Sequence, residues 1–459
     1  MWSKALGFFS QDGPELEVKH AFVTRNNTEA GNPQLAVVAA RTRGKTTTTL
    51  GYHVDALTGA VAGDVYENFP AIPLGKELFA GAPKTAFLTP FINCCTKNRV
   101  LAVVDDEDKL QIFPRCKKVA NALEAMGSRL FYSVLETELE GTSLVGYAVA
   151  KQEDGMKFST TKLWTRPFYA QVVHDNSPLT PSPTASYGRA LGDKSVLYKY
   201  LNPHLQIVTT VSPLKAVAHV IVIDSTTGGT VYEDEISHVV GNKVVAAMVE
   251  NWLVYAWLES APDAIEGWRL ASVELYDNSG TSTGASTLTT SPDIGSIARS
   301  YILATGITSK LGFTTSKFGV TTKDLVFANE LGQVTFIPHR LLDPRRPLGK
   351  PTKAEQEEML VPYNPLLPFM TNNIVSHKYP TIGVTHLTSA PTLLESTALL
   401  LASGLDMFCT SAIQPSGTFD ILGSGFNKFQ LVLTLAALAV GVAVAKPAVA
   451  RKNLKEKWF

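Results

Sequence analysis

A charge-free apolar run near the C-terminus constrains the fold of this chain most. It extends for 17 residues, from Phe429 to Ala445, and as a helix it covers about 25 Å, enough for one crossing of a thin bilayer. A buried core helix is the alternative, because the run is short and rich in alanine. The residues that follow favour the span, since basic residues outnumber the single acid, Glu456, at Lys446, Arg451, Lys452, Lys455 and Lys457. The positive-inside rule places this tail in the cytosol and the preceding residues across the membrane.

The N-terminus lacks the apolar core of a signal peptide, because only Ala5 to Phe9 are consecutively apolar. A large exterior part normally needs such a signal, so we expect the chain to lack its natural beginning. Asn26-Asn27-Thr28 is a glycosylation sequon, which predicts a sugar on Asn26 if this part is lumenal.

Composition excludes several classes of protein. Hydrophobic residues make up 45% of the chain, and Lys+Arg equals Asp+Glu at 41 each, which argues against disorder and against nucleic-acid binding. The four cysteines include no CxxC pair, and the nine histidines are scattered. No metal site or cofactor is therefore predicted.

Between the ends, short β-branched and aromatic runs alternate with turn residues, which indicates an all-β fold. An apolar strand, an Asp, a Thr-Gly turn and a second strand occur in Tyr52 to Val61 and again in Val220 to Glu233. This unit is typical of quinoprotein propellers, but neither copy has a tryptophan shortly after its glycine. We predict degenerate, quinoprotein-like β-propeller blades followed by one C-terminal transmembrane helix, with a β-sandwich array as the alternative.

Two apparent catalytic motifs have the wrong context. Arg43-Gly44-Lys45-Thr46 resembles part of a phosphate-binding loop, but a strand-forming sequence follows it, so we predict a hairpin turn. Gly280 to Gly284 matches the sequence pattern of a nucleophile elbow, but it lies inside a low-complexity loop.

The apolar segment Val244 to Leu258 is interrupted by Glu250 and Asn251, which predicts two buried strands and a turn. No catalytic constellation remains, and we predict that the chain is not an enzyme.

The apolar run carries a stripe of small residues. Ala437, Gly441 and Ala445 are spaced four apart, so they share one helix face and let another helix approach closely. The alternative is that alanine is merely common in this run.

Several strings resemble a known family. In chain order they are Gly188-Arg189, GDKSVLYKYLNPHL (Gly192 to Leu205), VENWLVYAW (Val249 to Trp257), VELYD (Val273 to Asp277), LLDPRRP (Leu341 to Pro347), VPYNP (Val361 to Pro365), LLESTALLLASGLDMF (Leu393 to Phe408) and PSGTFDIL (Pro415 to Leu422). Together they closely resemble the C-terminal region of subunit 1 of the endoplasmic reticulum (ER) membrane protein complex. The resemblance is clearest from about Gly188 onward.

This resemblance implies a lumenal propeller region over 1–420, a connector over 421–428, a transmembrane helix over 429–445 and a cytosolic tail over 446–459. It implies a scaffold subunit of a complex that inserts tail-anchored and multipass proteins into the ER membrane. The implied partners are the other subunits, client membrane proteins and the lipid bilayer, with no nucleic acid. Family members carry several acids over 419–428, whereas this chain keeps only Asp420.

Three further residues are candidates for a structural or intersubunit network. All three belong to LLDPRRP, in which Asp343 comes directly before Pro344, and Arg345 and Arg346 lie between Pro344 and Pro347. Proline stiffens the backbone, and arginine binds carboxylates in a bidentate way. A solvated turn is the alternative. Lys455 and Lys457 also match the spacing of a dilysine retrieval signal, although positive-inside charge explains the same residues.

Two other function classes share parts of this pattern. A single-pass lumenal or cell-surface propeller receptor would have the same topology, and would be distinguished by ligand capture outside a membrane complex. A quinoprotein-like enzyme would need locking tryptophans and a concentrated set of acidic metal ligands, and neither is visible.

Overall fold

The structure is a computed structural model. It describes residues 15–25, 33–55, 76–93, 98–114, 117–126, 129–138, 141–154, 157–176, 183–262, 266–278, 293–368, 371–413, 420 and 425–458. These residues form two compact units. The first comprises Met1–Ser182, Ser186–Leu311 and Arg340–Phe369, and the second comprises Pro183–Ala185, Gly312–His339 and Met370–Phe459.

The first unit begins with two antiparallel sheets. One has the strand order β1-β2-β3-β4, and the other has the order β5-β6-β7-β10-β9-β8. Their elements are β1 (Glu15–Arg25), β2 (Gln34–Arg43), β3 (Thr46–Asp55), β4 (Lys76–Ala80), β5 (Thr85–Ile92), β6 (Arg99–Val104), β7 (Leu110–Phe113), α1 (Lys117–Met126), β8 (Phe131–Glu138), β9 (Gly141–Asp154) and β10 (Lys157–Phe168). The β2–β3 turn contains Gly44 at φ +63. The predicted hairpin at Arg43 to Thr46 is therefore confirmed.

Two further four-stranded sheets and a small hairpin complete the strands of this unit. Their orders are β11-β14-β15-β16, β17-β18-β19-β20 and β12-β13. The strands are β11 (Gln171–Asn176), β12 (Gly188–Ala190), β13 (Val196–Tyr198), β14 (Leu205–Ser212), β15 (Val217–Asp224), β16 (Thr230–Ser237), β17 (Val239–Val249), β18 (Trp252–Glu259), β19 (Gly267–Asp277) and β20 (Ile294–Ile302). Two buried strands separated by a turn over Val244 to Leu258 are confirmed, because β17 pairs with β18 and Glu250 takes a positive φ of 54 between them.

The second unit contains two three-stranded sheets, with orders β21-β22-β23 and β24-β25-β26. The strands are β21 (Gly312–Phe313), β22 (Leu325–Ala328), β23 (Val334–Ile337), β24 (Val384–Pro391), β25 (Thr397–Gly404) and β26 (Met407–Ile413). Among the described residues, the remaining helices are α2 (His339–Leu342), α3 (Lys353–Glu357), a 3-10 turn (Thr371–Asn373) and α4 (Lys428–Trp458).

Consecutive sheets of the first unit pack through their apolar faces. Val38 and Phe79 of the first sheet contact Leu101 of the second in one buried cluster, and Val222 of the third sheet shares another with Val273 of the fourth. Each sheet thus buries its apolar face against a neighbouring sheet. Counting only the described residues, six antiparallel sheets of at least three strands follow one another along the chain. The all-β prediction is confirmed.

Candidate functional sites in the buried charge cluster and the apolar helix

The LLDPRRP segment holds a buried carboxylate in a tight turn. Asp343 is 1% exposed, and its Oδ1 accepts a hydrogen bond from the Arg345 backbone N–H at 3.0 Å. The Arg346 N–H donates to the Asp343 carbonyl at 3.3 Å. The alternative of a solvated turn is wrong, because the carboxylate is inside the fold.

Two guanidinium groups flank this carboxylate. Arg189, on β12, places Nη2 2.8 Å from Asp343 Oδ2 and Nη1 4.0 Å from Glu274 Oε1 on β19. Arg345 places Nε 3.5 Å from Asp343 Oδ1. Paired charges of this kind are tolerated inside a protein because each has an opposite charge within contact distance.

Arg345 extends the charge cluster to a second carboxylate. Its Nη1 lies 2.7 Å from Glu358 Oε2, and the Gly192 N–H donates to Glu358 Oε1 at 3.0 Å. The cluster therefore joins the β12–β13 hairpin, β19, the LLDPRRP turn and the residue that follows α3.

The protonation states follow from these contacts. Burial disfavours charge on Arg345, but Asp343 and Glu358 outweigh it and raise the pKa of the guanidinium. Burial also disfavours charge on Glu358, whereas the Gly192 N–H and Arg345 hold the pKa of its carboxyl below the usual range. Burial, followed by the nearby Glu274, raises the pKa of the Tyr276 hydroxyl. Arg345 and Glu358 thus keep their opposite charges at neutral pH.

Arg346 uses its guanidinium on backbone carbonyls of the same unit. Nε donates to Val361 at 3.2 Å, Nη1 to Leu341 at 2.5 Å and Nη2 to Pro362 at 2.5 Å. Its Cζ lies 5.8 Å from the ring centre of Tyr301 and 6.0 Å from that of Tyr363, within cation–π range. These contacts of Asp343, Arg345 and Arg346 lie within the chain, and a role between subunits stays a prediction.

Sequence reasoning missed the partners of this cluster. Arg189, Glu274 and Glu358 are distant from Asp343 along the chain and belong to no local motif with it. The two prolines and the paired arginines marked one side of the cluster, but only the fold brings the other side to it.

Asp420 ties the chain before α4 to the β24–β25 loop. Its carboxylate accepts from the Ser396 N–H at 3.1 Å and from the Ser396 hydroxyl at 2.5 Å. These bonds hold the pKa of the Asp420 carboxyl below its usual range. Ile421 to Ser424 lie outside the described residues, as does the sequon at Asn26.

Helix α4 is long and apolar enough to cross a membrane. The qualifying segment, Lys428–Lys457, has 30 residues, and its apolar 18-residue window has a mean hydropathy of 2.0 and no buried share. The alternative of a core helix is not supported, because every described residue of α4 whose exposure is given is exposed. The helix continues past the predicted end at Ala445 and contains Pro447.

The stripe and the basic residues lie on this one helix. Ala437, Gly441 and Ala445 share a face that none of the described residues covers, and a Cβ added at Gly441 would have nothing within 4 Å. The last four turns carry the predicted topology residues Lys446, Arg451, Lys452, Lys455 and Lys457. Lys452 Nζ is 3.9 Å from Glu456 Oε1, an exposed pair of little energetic weight.

Comparison with known proteins identifies related sequences. The sequence model of a family described as "ER membrane protein complex subunit 1, second beta-propeller" matches residues 1–416. That description confirms the propeller prediction, so the β-sandwich alternative is not supported.

Three curated relatives carry the same description. ER membrane protein complex subunit 1 of Schizosaccharomyces pombe is 35% identical over 285 residues, covering 60% of this chain and 31% of that protein. The Saccharomyces cerevisiae protein is 34% identical over 297 residues, covering 59% and 37%. The Xenopus laevis protein is 28% identical over 369 residues, covering 78% and 36%. This chain thus spans about a third of the length of the relatives it matches.

Proposed function

The chain belongs to the ER membrane protein complex subunit 1 family, and we propose that it is a scaffold subunit of that complex in the ER membrane. Its partners would be the other subunits, the lipid bilayer and the client membrane proteins that the complex inserts, both tail-anchored and multipass. The relatives' names support a place in a multisubunit complex.

The observation that carries this proposal is the full exposure of α4. This helix contains an 18-residue window with a mean hydropathy of 2.0 and no buried share, and nothing in the described part of its own chain covers it. Exposing this apolar surface to water would cost free energy, whereas the hydrocarbon interior of a bilayer accommodates it without that cost. The helix therefore fits an anchor that joins a large β-sheet region to a membrane assembly.

The proposed topology follows the charge distribution. Residues 1–420 would be lumenal, 421–428 would form the connector, 429–445 would cross the bilayer and 446–459 would lie in the cytosol. Basic residues follow the apolar run at Lys446, Arg451, Lys452, Lys455 and Lys457, as the positive-inside rule requires for a cytosolic end. Lys455 and Lys457 would also act in retrieval, and Asn26 would carry a lumenal sugar.

The proposed contact face within the membrane is the small-residue stripe. With Ala437, Gly441 and Ala445 on one side of α4, a transmembrane helix of another subunit could approach its backbone closely. Asp343, Arg345, Arg346 and Asp420 would act outside the membrane by fixing the loops that other subunits contact.

Affinity isolation of the C-terminally tagged chain at native expression, in mild detergent with mass spectrometry of the eluate, tests this proposal. We expect wild type to recover several small ER membrane proteins. Ala437→Leu and Gly441→Leu should reduce that recovery, because a bulky side chain separates the helices. The matched controls for Ala437→Leu are Ala436→Leu and Ala439→Leu, which add the same volume off the stripe.

The contrary results are distinct. Wild type that recovers no such set would overturn the scaffold proposal and favour a receptor. Equal losses for on-stripe and off-stripe variants would leave the scaffold role in place but remove the stripe as its contact face.

A further inference from the structure

Two loops at one end of the β24–β25–β26 sheet expose large apolar side chains. Phe318 and Val320, in the loop that follows β21, are 62% and 63% exposed. Leu393, in the β24–β25 loop, is 89% exposed. We call these three side chains the apolar tip.

A buried carboxylate fixes both loops to each other. Glu395 Oε2 accepts from the Phe318 N–H at 2.9 Å, and Oε1 accepts from the Val320 N–H at 2.7 Å. The Thr321 hydroxyl donates back to the Glu395 carbonyl at 2.9 Å. Burial disfavours charge on Glu395, but the hydrogen bonds from these backbone N–H groups hold the pKa of its carboxyl below the usual range. The charged Glu395 carboxylate therefore fixes the two loops to each other while the side chains of the apolar tip stay exposed.

The same end of the sheet is where the chain leaves for α4. Thr397, the first residue of β25, pairs with Ile413, the last residue of β26. Ser396 is bonded to Asp420, eight residues before Lys428, the first residue of α4. Eight extended residues span at most about 28 Å, so Asp420, and with it this end of the sheet, lies within that distance of the point where the helix begins.

We propose that the apolar tip enters the interfacial layer of the bilayer that α4 crosses, on the side that holds the β-sheets. The occupant is the lipid itself, since the reach from Asp420 to the helix keeps this end of the sheet near the membrane surface. This inference rests on the proposed membrane anchoring by α4. It adds a second contact, which fixes the tilt of the second unit above the bilayer.

The chemistry of the apolar tip fits a lipid interface. Lys317 Nζ lies 5.1 Å from the ring centre of Phe318, and both residues are exposed. An aromatic ring beside a long cationic chain is suited to the headgroup level, because the ring sits among acyl carbons while the ammonium extends toward water and phosphate. That layer is roughly 5 to 7 Å deep on each side, which a loop tip can enter without strand residues following it.

The opposite end of the same strand supplies a matched control. Leu405 is 85% exposed, nearly the same as Leu393, and it follows the last residue of β25. Eight strand residues separate the two ends by about 26 Å, so both leucines cannot lie in the same interfacial layer when β25 stands upright on the membrane.

The test uses the full chain reconstituted in phosphatidylcholine vesicles with part of the acyl chains brominated. A genetically encoded, environment-sensitive fluorescent amino acid replaces Leu393 in one variant and Leu405 in another. We expect a blue shift and a loss of emission to bromine at position 393, and neither at position 405. Equal spectra at the two positions, or no quenching at 393, would overturn the proposal.

Alkaline extraction of the same vesicles separates this proposal from the one it rests on. Chain released by alkali would mean that α4 does not span, which overturns both proposals. Chain retained but unquenched at position 393 would overturn the lipid contact alone.

Photo-crosslinking in native ER membranes distinguishes lipid from protein. A benzophenone amino acid at Phe318 should yield a phospholipid adduct by mass spectrometry, and the same amino acid at the distant Tyr379 should not. Adducts at Phe318 with protein only would overturn the proposal.

Discussion

The indole of Trp164, on β10 of the second sheet, donates its Nε1–H to the carbonyl oxygen of Ser225 at 3.2 Å. Ser225 lies in the turn between β15 and β16 of the third sheet. A Cβ built on Gly228 in that turn would lie 2.6 Å from Trp164 Cδ2. The turn thus receives a tryptophan from the preceding sheet, which locks the two sheets together.

Gly228→Ala should destabilise the first unit. Gly228 has a φ of +73, which costs an alanine about 1 kcal/mol, and the added methyl would collide with the Trp164 ring, costing about 1 to 3 kcal/mol more. The matched control is Gly44→Ala, because Gly44 has a similar φ of +63 with nothing within 4 Å. Chemical unfolding of the two variants measures the difference, and equal free energies of unfolding would contradict the lock.

Asp343→Asn should destabilise the same unit more strongly. The amide keeps the shape of the carboxylate but leaves Arg189 and Arg345 without their shared counter-charge, and breaking a buried pair typically costs about 3 to 5 kcal/mol. The control is Asp193→Asn, because Asp193 bonds to Ser195 on the exposed β12–β13 turn. Thermal unfolding should show a lowered midpoint for the first variant and an unchanged one for the second. The same midpoint in both variants would mean that the buried charges are not coupled.

Local patterns predicted much of this fold from the sequence. The turn in Val220 to Glu233 carries its own chemistry, because Asp224 Oδ1 accepts from the Thr226 N–H at 2.8 Å and the Gly228 N–H donates to the Asp224 carbonyl at 2.8 Å. Such hydrogen bonds join residues two to four apart, so the local sequence is enough to predict them. The start of α3 is equally local in its chemistry, since Thr352 and Glu355 form a capping box.

Contacts between distant segments could not be predicted in this way. The quinoprotein propeller pattern predicts a locking tryptophan just after Gly228, whereas Trp164, which packs on this turn, comes from the preceding sheet. Asp343 likewise depends on Arg189, which no spacing rule connects to it. The end of α4 was missed for another reason: hydropathy marks the apolar run up to Ala445, but the following Lys, Arg, Ala and Leu residues are good helix formers and extend the backbone helix.

The first unit should lose stability in acid through His53. This side chain is buried and stacks on Phe113 with ring centres 4.7 Å apart; burial lowers its pKa to about 4. The folded state disfavours protonation of His53, whereas the unfolded chain protonates it below about pH 6.5. The contribution of neutral His53 to the free energy of unfolding is therefore complete above about pH 6.5. It is lost as the pH falls toward 4, by up to about 1.4 kcal/mol per pH unit.

His53→Phe should therefore flatten the acid side of the stability curve in thermal unfolding between pH 7 and pH 4. His386→Phe is the control, since His386 is exposed on β24 and its replacement leaves the buried imidazole in place. A wild-type slope in His53→Phe would contradict the assignment.

Asp324 should give the second unit the opposite dependence. This carboxyl lies beside β22, is 2% exposed and accepts from the His339 N–H at 3.2 Å; burial raises its pKa to about 7. The folded state then binds the proton more tightly than the unfolded state. The contribution of protonated Asp324 to the free energy of unfolding is complete below about pH 4. It is lost as the pH rises through 7, with a slope of up to about 1.4 kcal/mol per pH unit.

Asp324→Asn removes this titration, because the amide stays neutral and keeps an oxygen for the His339 N–H. We expect the variant to gain stability relative to wild type as the pH rises from 5 to 8, measured by chemical unfolding of the full chain in detergent. Since His53 acts below about pH 6.5 with the opposite sign, the double variant with His53→Phe should have the flattest profile across the range. Parallel curves for Asp324→Asn and wild type would mean that Asp324 is already ionised in the folded protein, with its charge stabilised by hydrogen bonds.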